Sequence, residues 1–216
     1  MSKPVDIQAQ LDGLRSSAQN YRWRDCETQM FALYTQLPLP DGMRIAIEQL
    51  GDHLGTFERY HPSVRWVREW FNLVQRLEPF DISQYRFPFH SETALYDRNG
   101  IAAPGSTPFM DGITLMQEAF DSFTGDDCSP EKCLSLVRGV VGSSISARTF
   151  AYAADTCPEA WEDTRVLLGD IRITDEYSIE ELEERNLRRR DYDLCTNDYQ
   201  KGLWLALADQ IEALLL

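Results

Sequence analysis

MRIAIEQLGDHLGTFERYHPSVRWVREWFNLVQRL, residues 43–77, decides the fold. Met43, Ile47, Leu50, Leu54, Phe57 and His61 recur at steps of four and three. That period places apolar side chains on one face of a helix. Pro62 follows, and a proline is at home in the first turn of a new helix. From 63 to 77 two stripes then run side by side: Val64, Val67, Phe71 and Val74, and Trp66, Trp70, Leu73 and Leu77. So wide an apolar face predicts a helix covered on more than one side, near the middle of a bundle.

Upstream, residues 5–36 read as one long helix or two broken ones. Ile7, Leu11 and Leu14 form one apolar row and Met30, Leu33, Tyr34 and Leu37 another, with Gly13 and Ser16-Ser17 as the places to kink. Pro38-Leu39-Pro40-Asp41-Gly42 ends that stretch.

Downstream, residues 79–107 lose helical periodicity and hold Pro79, Pro88, Gly100, Pro104 and Gly105. Arg98-Asn99-Gly100 admits a tight turn and a short β-hairpin. A connection this long inside a bundle is commonly functional.

Thr107-Pro108 then reads as a helix start, with a stripe of Phe109, Ile113, Met116, Phe120 and Phe123. Ser129-Pro130 starts another helix, to about 155, facing the core with Cys133, Val137, Val140, Ser144 and Ala151. Its small residues, Gly139, Gly142, Ser143, Ser144, Ser146 and Ala147, let a second backbone approach. The run 134–141 reads equally as a strand. Thr156 to Glu159 fits a capping box before a short helix to about 168, and 170–174 fits a brief strand. Ser178 with Glu181 opens the last helix or helix pair, lined by Glu–Arg pairs four apart and ending in the stripe Tyr199, Leu203, Leu207, Ile211 and Leu214.

The expected fold is all-α, a single domain over 1–216: a bundle of about six to eight helices with one long irregular loop near its middle.

Charge limits the function classes. The chain has 21 Lys and Arg against 35 Asp and Glu, a net charge of -14. Binding to nucleic acid or an anionic membrane needs a cationic surplus, so both are excluded as partners. No apolar run approaches a membrane span. Residues 1–10 lack the apolar core of a secretory signal. Five cysteines at irregular spacing therefore read as reduced thiols in a cytoplasm.

No motif names a reaction. Cys128 and Cys133 lack the second pair that a zinc site requires. Asp126-Asp127, with Asn197-Asp198 as counterpart, has the composition of a magnesium–diphosphate site. Lys201, however, stands where a hydroxyl ligand is needed, and a helix-end turn accounts for the acids more simply. Gly142-Ser143-Ser144 lacks the Gly-x-Ser-x-Gly pattern. Phosphate-binding glycine loops are absent. Arg188-Arg189-Arg190 follows four glutamates that largely cancel it. No metal or cofactor is expected, and the sequence points away from an enzyme.

The loop carries the best candidate site. Tyr85, Arg86, Phe87, Phe89, His90, Glu92, Tyr96 and Arg98 combine aromatics and arginine, the types enriched where protein interfaces concentrate their binding energy. The first functional expectation is an acidic protein-binding module, of inhibitor or immunity type, covering a basic protein partner. The alternative is an all-α enzyme or small-ligand binder whose pocket, lined by Trp66, Trp70, His90 and Tyr96, is closed by the loop. A homo-oligomer joined through Leu203, Leu207, Ile211 and Leu214 is a third possibility.

Overall fold

A computed structural model of the chain describes residues 6–62, 65–76, 104–125, 129–161 and 179–215. Among these there are eight helices and no strand: α1 Ile7–Gln19, α2 Trp23–Tyr34, α3 Leu39–Gly51, α4 Leu54–Tyr60, α5 Trp66–Val74, α6 Ser106–Thr124, α7 Pro130–Thr156 and α8 Ile179–Leu215. The all-α expectation holds. The hairpin expected near Asn99-Gly100 and the strand at 170–174 lie outside the described residues.

The core is one connected apolar cluster with contributions from every helix. Helix α7 is its spine, packing on α6 and α3, while α1 packs on α2 and α8. The small residues of α7 permit this. A Cβ on Gly139 would come within 2.8 Å of Leu115 Cδ1, and one on Gly112 of α6 within 2.7 Å of Leu50 Cδ1. The run 134–141 is helical throughout. Ser144 is buried as expected, but Ala147 and Ala153 are buried where Ala151 is only half-buried.

Several boundaries differ from the sequence reading, each for a local reason. The first stretch breaks at 20–22, beyond the expected kinks. Tyr21 adopts a left-handed φ of 56°, which costs a residue with a Cβ about 1–2 kcal/mol. Its ring packs edge-on against Trp23 at 5.8 Å, and its hydroxyl donates to Asp198 at 2.9 Å. Helix α3 begins at Leu39, because Pro40 falls in its first turn, where no N–H is needed.

The helix read over 43–61 is two helices. The His53 N–H bonds back three residues to the Leu50 carbonyl at 3.1 Å, and Ser144 Oγ donates to the Gln49 carbonyl at 2.5 Å. The stripe continues across the break because Leu50 and Leu54 stay four apart.

Helix α6 is capped by Gly105 rather than Thr107. Gly105 has φ 76°, and a Cβ there would stand 2.2 Å from the Ala147 carbonyl oxygen. Ser129 caps α7 as read, accepting from the Lys132 N–H at 3.4 Å.

The cysteines also differ. Cys157, at the end of α7, and Cys195, in α8, form a disulfide with Cα atoms 6.6 Å apart. Spacing alone gave no sign of it, since 38 positions separate the two. Cys26 and Cys133 are buried and outside that disulfide, and burial pushes the Cys26 thiol up to about 12. Leu203, Leu207 and Ile211, read as a surface for a second copy, are in the core; Leu214 is 49% exposed.

Candidate functional site

Tyr85, Arg86, Phe87, Phe89, His90, Glu92, Tyr96 and Arg98 lie outside the described residues, so the structure brings none of them together. The end of their loop is described. Gly105 sits where a Cβ would meet the His53 ring at 2.8 Å. Trp70, one of the expected pocket-lining residues, is instead fully buried and donates its indole N–H to Gln117 Oε1 at 2.9 Å.

Beside His53 lies a cleft of about 510 Å³, lined by polar and aromatic side chains. One wall is a single face of α7. Arg148, Tyr152 and Asp155 lie four and three residues apart, so they stand in a row along the helix. The opposite wall is the turn between α3 and α4, with Asp52 and His53, continued by Thr56 of α4. Tyr199 of α8 closes one side. Its ring stacks on Tyr152 with centroids 4.1 Å apart and planes 4° from parallel.

Arg148 is held in place. Its Nη1 forms an ion pair with Asp52 Oδ2 at 2.8 Å and donates a hydrogen bond to Gln49 Oε1 at 3.1 Å. Gln49 in turn donates through Nε2 to Gln210 Oε1 at 2.6 Å, tying α3, α7 and α8 together under the cleft. The other edge of the guanidinium, Nε and Nη2, bonds nothing among the described residues. Asp155 likewise has no ion-pair partner among them.

His53 is 1% exposed, and its Nε2 has no hydrogen-bond partner among the described residues. A buried polar atom left so costs about 1–3 kcal/mol. Burial, with the charge of Arg148 second, pushes its pKa down to about 4, so the ring is neutral at pH 7. The cleft therefore offers a fixed cation edge, a carboxylate, hydroxyls, a stacked tyrosine wall and a neutral imidazole. This is equipment for holding a polar molecule.

Two other constellations do less. His61 Nε2 lies 3.2 Å from Ser106 Oγ, and both residues are buried. Neither lines the cleft. Asp198, weighed above as a metal ligand and set aside, accepts from Tyr21 and pairs with Lys201; that bonding holds its carboxyl below the usual range. Asp126 and Asp127 lie outside the described residues. Among the described residues no three His, Cys, Asp or Glu side chains gather as a metal site requires, and no helix is long and apolar enough to cross a membrane.

The sequence reading missed this cleft. The row Arg148, Tyr152, Asp155 was visible as a helical spacing, but nothing marked the turn at 52–53 as the facing wall. Comparison with protein-family models, with curated proteins and with solved structures gave no match.

Proposed function

We propose that the chain is an acidic binding module that covers a basic protein partner, in the manner of an inhibitor or immunity protein. The observation that carries this reading is how its charge is deployed. Arg15, Arg22, Arg44, Arg68, Arg148 and Lys201 each pair with a carboxylate of the chain itself. Asp12, Glu27, Glu48 and Glu118 stand exposed. Arg24, Arg59, Arg65, Arg76, Lys132 and Arg190 are exposed with no ion pair among the described residues. Acids still outnumber cations, 35 to 21, and such a surplus speeds the capture of a basic partner.

The reading treats 1–216 as one α-helical domain, with 79–107 as the insertion that supplies aromatic and arginine contacts. It is tested by affinity capture from the native host. A stoichiometric partner of high pI is expected, with association slowing as salt rises and weakening when Glu48 and Glu118 are replaced by Gln. Failure to recover such a partner at low salt would sink it.

The same reading sets the chain in the cytoplasm, where thiols are kept reduced. The Cys157–Cys195 bond speaks against that location, so alkylation inside the host decides: free thiols keep the chain in the cytoplasm, and a bonded pair moves it to an oxidising compartment.

A second reading, a small-ligand binder closed by the 79–107 loop, is favoured by one contact. Gly105, at the loop's end, packs on His53 at the edge of the cleft.

A further inference from the structure

We propose that the cleft between α7 and the α3–α4 turn binds a short peptide of two or three residues with free ends, its carboxylate at Arg148 and its ammonium at Asp155. The proposal rests on the second reading above, that the cleft holds a small ligand, and adds the ligand's chemistry.

Three features carry it. The first is the arginine. Asp52 and Gln49 hold Nη1 and leave the Nε–Nη2 edge, the geometry that grips a carboxylate through two parallel hydrogen bonds. The side chain lines the cleft and is 20% exposed, partly shielded from water.

The second feature is spacing. Asp155 stands two helical turns beyond Arg148, an axial rise of about 10.5 Å. Extended chain covers about 3.3–3.6 Å per residue, so three residues span the gap, and two, at about 7 Å, need the two side chains to lean toward each other. A single amino acid, whose two charges sit on one carbon, is too short to use both ends.

The third is the wall between the ends. Tyr152, fixed by Tyr199, supplies a flat surface along the row. His53 supplies a neutral ring with an unpartnered buried nitrogen, suited to a peptide group rather than a charge. A volume of about 510 Å³ accommodates such a ligand. The polar lining argues against an apolar one.

The probe is triglycine, with N-acetyl-triglycine and triglycine amide as partners that each lack one charge, followed by chemical-shift changes on titration. Triglycine should saturate, perturbing Arg148, Tyr152 and Asp155, and each blocked form should bind at least about tenfold more weakly. Asp155→Asn removes a carboxylate with no ion-pair partner among the described residues, so it should keep the helical spectrum and lose the preference for the free ammonium. Arg148→Gln should lose the preference for the free carboxylate. If a blocked form binds as well as triglycine, the assignment of the two ends is wrong while the cleft stands as a ligand site. If none of the three binds, both fall.

Discussion

Ser144 of α7 donates its hydroxyl to the main-chain carbonyl of Gln49 in α3, at 2.5 Å and in full burial. That carbonyl is among the last four of α3, the ones a helix cannot satisfy itself. The next N–H in line, from His53, is directed to Leu50 instead. Ser144 thus ends one helix from another. Ser144→Ala should cost about 1–3 kcal/mol by leaving the carbonyl buried and unbonded. Ser146→Ala, one half-turn on and only half-buried, should stay within about 0.5 kcal/mol. Urea unfolding of the two variants checks the contrast.

Two glycines should respond in opposite directions to the same change. Gly105→Ala must hold a left-handed φ and push a methyl into the Ala147 carbonyl. The backbone conformation alone costs about 1–2 kcal/mol, and the collision adds to it. Gly142→Ala meets nothing within 4 Å and should stabilise α7 by about 0.5–1 kcal/mol. Thermal melts of both would overturn the account if the signs agreed.

His53 should make stability depend on pH. Its folded pKa of about 4 lies below the ordinary histidine value of 6.5. Between those values the unfolded chain binds a proton that the folded chain refuses, so stability falls as pH drops through 6.5 and levels off near 4. The full effect is up to about 3 kcal/mol. His53→Phe should flatten this slope, leaving the smaller part due to His61, which burial also pushes down. An unchanged slope in urea titrations across that window would contradict it.

The Cys157–Cys195 bond closes a loop of 38 positions, worth about 4 kcal/mol by the loop-entropy model. Purified under oxidising conditions, the protein should lose stability of that order on reduction, and Cys157→Ser should match the reduced form. Native alkylation at neutral pH should spare Cys26, whose burial pushes its pKa to about 12. Rapid labelling of Cys26 would show that α2 is not packed as described.

Much of the fold was legible because helical period survives in any window. The stripes of α3, α5, α6 and α8 predicted what is buried, from Met43 and Trp70 to Leu207 and Ile211. What escaped depends on partners distant in sequence. The break after Gly51 needs Ser144, 95 positions away from Gln49. The cap at Gly105 needs the backbone of α7, which Thr107-Pro108 masked by being good local cap chemistry. The cleft has one readable wall, since Arg148, Tyr152 and Asp155 share a helix. Its other wall is the turn made by that same break, so missing the break meant missing the cleft.

Arg15 of α1 reaches across to Asp209 and Glu212 of α8, at 2.6 and 2.8 Å. Leu11 and Leu14 are fully buried in the core that Leu207 and Ile211 complete. On a ribosome working at about 5–20 residues per second, α1 emerges roughly ten to forty seconds before the helix that covers it. Through that interval α2 covers one side of α1, and the side that α8 will cover stays open to chaperones and to other nascent chains.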